Sequence, residues 1–158
     1  MMNGMGGLGG AEEGSSLVHF ADLSPYVFLS NTVPVGIVAL NVGWLSSHRD
    51  FARGVVPEGF LDALADLCLW NRRAVTRGWH TCNFEHSEER SKSPALCTSD
   101  GNRHRLGGAE VRVICRDGRW LVAPDMVLHY IVEHGYLPPE DFVEGVLARR
   151  SAPEYYGE

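Results

Sequence analysis

The sequence predicts an α+β domain in which a small antiparallel sheet with a β-hairpin packs against about three helices. Three observations predict it. Apolar residues recur at helical spacing in three separate stretches. Ala109 to Cys115 instead alternates, with Val111, Val113 and Cys115 on one face and Glu110, Arg112 and Ile114 on the other. Asp117-Gly118 then gives a two-residue hairpin signal, and Arg119 to Ala123 returns as the partner strand. The 158 residues make one domain by length and are enough to bury a sizeable core.

Along the chain, residues 1 to 16 are Gly-rich and can bury little, so a disordered tail is expected there. A single domain is expected over 17–150 and a loose tail over 151–158. Order should begin near His19-Phe20, where Phe20, Leu23, Tyr26 and Phe28 supply apolar anchors. Val35 to Trp44 is rich in β-branched and large apolar residues and reads as a buried strand.

Pro57 to about Asn71 reads as the first helix. Pro57 suits the first helical position, and Glu58 suits the positive end of the dipole. Phe60, Leu61, Leu64, Leu67 and Cys68 form its apolar stripe, which makes Cys68 a core residue. Residues 86 to 108, with their many Ser, Gly and charged positions, read as a long loop of functional or mobile character. After the hairpin, Pro124 opens a second helix that ends at Gly135. Pro139 or Glu140 starts a third, with Phe142, Val143, Val146 and Leu147 facing inward and Arg149 and Arg150 near its end.

Composition narrows the function. The net charge of −6 argues against bulk nucleic-acid binding, which usually needs a basic surface. The charge is uneven, however: residues 72 to 119 hold ten Lys/Arg against six Asp/Glu. A mixed solvated surface or an anion-binding patch would account for that. No basic start followed by an apolar run marks a signal peptide, and no stretch approaches a membrane span. A cytoplasmic protein is expected, in which Cys68, Cys82, Cys97 and Cys115 are thiols or ligands rather than disulfides.

The segment Arg77-Gly-Trp-His-Thr-Cys-Asn-Phe-Glu-His86 packs four potential metal ligands into seven residues: His80, Cys82, Glu85 and His86. Zinc favours Cys and His and accepts carboxylates. If residues 79 to 83 are extended, His80 and Cys82 point to the same side, and Glu85 or His86 could swing back toward them. The spacing alone is a weak zinc signal; a surface turn with a buried Cys82 would produce it too. The second helix adds His129 and His134. Helical geometry places His134 with Met126, Val127, Tyr130 and Ile131 on the inward face. His129 stands roughly 140° away around the axis. A regular helix would thus keep the two histidines from sharing an ion unless it frays near Gly135.

Seven pieces of the chain, Phe20-Ala-Asp-Leu-Ser-Pro-Tyr26, Leu40-Asn-Val-Gly-Trp-Leu45, Thr76-Arg-Gly-Trp-His-Thr-Cys82, Gly107-Gly-Ala-Glu-Val-Arg-Val113, Ala123-Pro124, His129-Tyr-Ile-Val-Glu-His-Gly-Tyr136 and Pro138-Pro-Glu-Asp-Phe142, follow in the order of a known pattern. On these the chain resembles a family of small actinobacterial proteins of unknown function. The resemblance covers nearly everything from Phe20 to Leu147. The family pattern, His-x-Cys-x-x-Cys followed by a hairpin and a His-Tyr helix, implies a zinc site of Cys82, a second Cys, and His129 or His134. This sequence departs from it at Glu85, which stands where the second Cys would be. Either Glu85 ligates, or His86 substitutes, or the metal is lost.

The expected metal ligands are therefore Cys82, Glu85, His129 and His134, with His80 and His86 as alternatives and zinc as the ion. The expected role is a metal-binding domain acting through a protein or small-molecule partner, with the long loop 86 to 108 and the basic middle of the chain as its contact surface. The alternative is a small metal-dependent or acid–base enzyme. Its site would lie between the His80–His86 turn and the His129–His134 helix, with Glu85 or Glu133 as general base. A metal-free version would use Cys82 as nucleophile with His80, His129 or His134 as base.

Overall fold

The computed structural model describes residues 19–86 and 93–157. The Gly-rich tail expected over residues 1 to 16 lies outside the described residues. Within them the fold is α+β, with three α-helices and two small sheets.

The central sheet has three strands: β1 (Ala39–Asn41), β4 (Glu110–Ile114) and β5 (Trp120–Pro124). Their spatial order is β1-β5-β4. β4 and β5 pair antiparallel with Val111 opposite Ala123 and Val113 opposite Leu121. β1 pairs parallel to β5, so the sheet is mixed rather than purely antiparallel. The strand expected over Val35 to Trp44 is confined to Ala39–Asn41 because Val35 and Val38 are exposed and have nothing to pack against.

Between β4 and β5 the turn is one residue longer than expected. The Cys115 N–H bonds the Arg119 carbonyl, and the Gly118 N–H bonds the Cys115 carbonyl. Gly118 has φ +95°. This is a three-residue loop closed by a left-handed residue, which also matches the strand twist.

Helix α1 (Phe60–Trp70) begins three residues after Pro57. Gly59 is left-handed at its N-cap, so Pro57 belongs to the preceding turn and not to the helix. Its buried stripe is Phe60, Ala63, Leu64, Leu67 and Cys68, while Leu61 is turned outward. Helix α3 (Glu140–Leu147) starts where expected, with Glu140 and Asp141 at its positive end. Phe142 and Val146 are fully buried, Leu147 is turned outward and not inward as expected, and Phe142 meets Phe60 of α1 edge to face at 6.4 Å. Helix α2 (Val127–His134) starts later than expected, because Pro124 still belongs to β5.

Both faces of the sheet are covered. Val111, Val113, Leu121 and Ala123 join the helices in the main core. On the other face, Val122 packs with Tyr26 and Trp44, and Phe20, Leu29 and Val33 close around them. Glu110 and Arg112 point into this second, covered layer, so the polar side of β4 is as buried as its apolar side. The loose C-terminal tail expected from Ser151 is not loose at its start. Ser151 bridges to Val113, the Ala152 N–H bonds the Arg112 carbonyl, and Ala152 is fully buried.

The loop expected over residues 86 to 108 is in part a second hairpin, β2 (Ala95–Cys97) with β3 (Arg103–Arg105). After β3 the chain reaches Gly107, at φ +114°. The His80 N–H bonds the Gly107 carbonyl at 2.8 Å. A Cβ at Gly107 would sit 2.4 Å from the His80 carbonyl oxygen, so backbone would meet backbone. Gly107→Ala should therefore destabilise the fold by about 2–3 kcal/mol, the combined cost of a positive φ and overpacking. Denaturant unfolding measures it, and a loss under about 0.5 kcal/mol would refute the close approach. Among the described residues no helix is long and apolar enough to cross a membrane.

Candidate metal centre

Four side chains converge where the segment after β-like pairing at His80 meets helix α2. They are Cys82, His86, His129 and His134, and their donor atoms all lie within 4.8 Å of one another. His86 Nε2 is 3.1 Å from His129 Nε2 and 3.2 Å from His134 Nε2. Cys82 Sγ is 3.4 Å from His134 Nε2. Around a tetrahedral zinc, bonds of about 2.05 Å to nitrogen and 2.3 Å to sulfur place neighbouring donors about 3.3–3.6 Å apart. These three of the six donor–donor separations fall within a few tenths of an ångström of those edges. Cys82 and His129 are buried, and His86 and His134 are half-buried.

Each ligand is positioned by an identifiable device. The bonds Thr76 N–H to Gly108 and His80 N–H to Gly107 pin the incoming segment beside the residues that follow β3. Phe84 then plugs into the core against Phe51, at 5.6 Å, and Tyr130, at 5.9 Å. With Phe84 anchored inward, Cys82 and His86 flank it and both reach α2. The His86 ring stacks on His129 at 5.2 Å.

Helix α2 departs from regularity at its end. The Gly135 N–H bonds the Tyr130 carbonyl, five residues back instead of four. Such a wide closing turn is of the π type. It reduces the angle between positions five apart, and helical side chains lean toward the N-terminus, so His134 leans back over His129. Their ring centroids are 5.1 Å apart. Arg53 holds this end in place by donating to the His134 carbonyl at 2.8 Å. The inward histidine is also not the expected one: His129 is 5 % exposed, and His134 stands half-buried at the helix end.

Electrostatics suit metal binding, which needs neutral imidazoles. Burial, with His134 and His86 nearby, pushes His129 down to about 4. Burial also lowers His134. The Tyr130 hydroxyl is raised by burial and by the neighbouring Cys82 thiol.

Of the sequence-expected ligands, the structure brings Cys82, His129 and His134 together and adds His86, one of the two alternatives. Glu85 is exposed and outside the group. His80 is elsewhere, lining a small cavity beside Trp44, Gly107 and Met126. Glu133 is exposed on α2.

Asp125 is a buried group that the sequence reading missed, though its place just after β5 and before α2 marks it as a junction residue. It is 1 % exposed and accepts the Gly107 N–H at 2.7 Å, while its second oxygen has no partner among the described residues. Burial pushes its carboxyl up to about 6, against the opposing Gly107 bond. An acid whose pKa is higher in the folded state is favoured there in its protonated form. Its contribution is therefore best below the unfolded value near 3.8 and is lost as pH rises toward 6. Asp125→Asn keeps the acceptor for Gly107 and removes the charge. The variant should lose that decline in stability between pH 4 and 6 and gain on the order of 2–3 kcal/mol relative to the parent near pH 7. Identical pH profiles for the two proteins would show that Asp125 is not held this way.

A family model describing a domain of unknown function, DUF7919, matches residues 18–147. The chain belongs to that family. The match takes in the hairpin, both sheets, all three helices and every residue of the four-donor group. No curated protein and no solved structure matches the chain.

Proposed function

We propose that this DUF7919 domain is a zinc-stabilised binding module of the cytoplasm, with zinc held by Cys82, His86, His129 and His134. The observation that carries the reading is the convergence of one sulfur and three imidazoles within 4.8 Å of one another, with three of their separations close to tetrahedral edges. A Cys/His set of this softness suits zinc better than calcium or magnesium, which take oxygen. Four protein donors complete a tetrahedron and leave no position for a catalytic water, which supports a structural ion over metal-dependent catalysis. The exposure of Glu85 and Glu133 removes the support for either as a base beside the ion. Burial of Cys82 at 1 % exposure argues against its use as a nucleophile. Zinc would then act by tying the Cys82–His86 segment to α2.

Metal analysis of purified protein tests this. One zinc per chain is expected, with X-ray absorption giving about one sulfur at 2.3 Å and three nitrogens at 2.0–2.1 Å. Cys82→Ser and His129→Ala should lose the metal, and Glu85→Gln should keep it. Metal that persists in Cys82→Ser, or is lost in Glu85→Gln, would overturn the assignment.

A further inference from the structure

We propose that the cavity between α1, β2 and α2 binds a small amphipathic organic cation, an apolar body carrying one amine. The inference deepens the binding-module reading by naming the ligand's chemistry. It uses the metal centre only to orient that ligand.

The cavity measures about 340 Å³. Sites for small molecules span roughly 300–1,000 Å³ and are lined mostly by apolar side chains. Three elements supply the walls: Leu61 and Ala65 of α1, Leu96 of β2, and Leu128 and Val132 of α2. Leu61 departs from the buried stripe of its helix, and Val132 is 57 % exposed. Two apolar side chains that the core does not use thus line one cavity, and they offer contact to an apolar body. A docked helix would need a groove long enough for anchors over two turns, whereas a cavity of this volume takes a compact molecule.

Charge sets the other half of the ligand. Asp62 of α1 and Glu133 of α2 line the same cavity, and among the described residues no Lys or Arg does. Both carboxylates are exposed, and neither has an ion-pair partner among the described residues. Asp66, Asp117, Asp141 and Glu144, by contrast, each meet an arginine. Glu133 lies in the last turn of α2, the negative end of the helix dipole, where a carboxylate weakens the helix. An ammonium at the mouth would answer both acids, and an anionic ligand would be repelled by them.

The orientation follows from His129, which lines the cavity and belongs to the four-donor group. Zinc with one thiolate and three imidazoles would leave one net positive charge behind His129. The apolar body therefore lies inward against that wall, and the ammonium stays at the mouth.

An amide NMR titration of the full chain as purified tests this. The probes are phenylbutylamine, the isosteric alcohol phenylbutanol and the anion phenylpentanoate. The amine should give saturable shifts in the first turn of α1, in β2 and in α2, and bind about fivefold to tenfold more tightly than the alcohol. The anion should bind weakest, and the preference for amine should shrink as salt is added. Asp62→Asn with Glu133→Gln should bring the amine to the level of the alcohol and leave the alcohol unchanged. Asp62→Asn alone, outside the four-donor group, should remove part of the preference without touching the metal. Equal binding of amine and alcohol to the parent overturns the proposal, as does an amine affinity that survives the double substitution. Absence of saturable binding, or shifts confined to other elements, overturns it too. Shifts of the cavity residues on dilution without ligand would name a second copy of the chain as the occupant instead. Metal analysis reads the zinc assignment separately, since the amine preference is scored whether or not the chain carries an ion.

Discussion

Stripping the metal, or changing Cys82 to Ser, should lower the stability of the domain by about 4 kcal/mol when free zinc exceeds its Kd a thousandfold. The fold offers no preformed site when unfolded, so binding free energy adds directly to folding free energy. The effect should exceed that of Cys115→Ser, which loses only packing at the hairpin end and should cost about 1 kcal/mol. Cys115 is also buried, at 5 % exposed, so the pair of variants separates ligation from burial. Cys82→Ser should then unfold at or slightly below the midpoint of chelator-treated parent protein, because it also loses a buried thiol, and added zinc should rescue only the parent. Equal losses for Cys82→Ser and Cys115→Ser, with no response to chelator, would mean that the four donors pack without an ion. The damage should be local first. Phe84 holds the ligand segment against Phe51 and Tyr130, so the apo protein should lose protection at residues 80–86 and at the end of α2 before the sheet opens.

The elements that could be read in the sequence are those whose local signals and burial agree. Helix α3 has acidic residues at its start, apolar residues at helical spacing and a preceding proline, and it begins where these point, although Leu147 at its end is exposed. Strands β4 and β5 carry clear alternation, but alternation does not reveal that a second layer covers the polar face; Tyr26 and Trp44, with Phe20, Leu29 and Val33, do that from the distant N-terminal part of the chain. Val35 and Val38 have strand composition and no packing partner, so composition overstated β1. At the candidate metal centre, residue type pointed to Cys82, His129 and His134. The choice between Glu85 and His86 depended on which way the chain turns after Phe84, and that turn is set by where Phe84 packs. The convergence of His129 and His134 depended on the Gly135-to-Tyr130 bond, a backbone feature with no side-chain signature.

Arg112→Met should destabilise the domain by about 3–5 kcal/mol, the usual cost of removing one partner from a buried ion pair. Arg112 is 2 % exposed and Glu110 is 3 % exposed, so neither charge is shared with water. Arg112 donates to Glu110 Oε1 through Nε at 2.9 Å and through Nη2 at 2.7 Å. It also donates to the Thr32 carbonyl at 2.9 Å and the Thr32 hydroxyl at 2.7 Å, which fastens the N-terminal layer onto the sheet. Tyr26 completes the set by donating to Glu110 Oε2 at 2.8 Å. Burial already raises the Glu110 carboxyl despite the neighbouring guanidinium. Without Arg112 that carboxyl rises further, and an acid raised in the folded state is least costly when protonated. The penalty in Arg112→Met should therefore be largest at neutral pH and shrink as the solution is acidified toward the ordinary carboxyl range. Glu110→Leu combined with Arg112→Met should recover most of the loss, because the apolar pair leaves no buried charge behind. Urea unfolding of the parent, single and double variants across pH checks all three statements. A single variant within about 1 kcal/mol of the parent at neutral pH, or a double variant no better than the single, would mean that this buried pair does not hold the second layer in place.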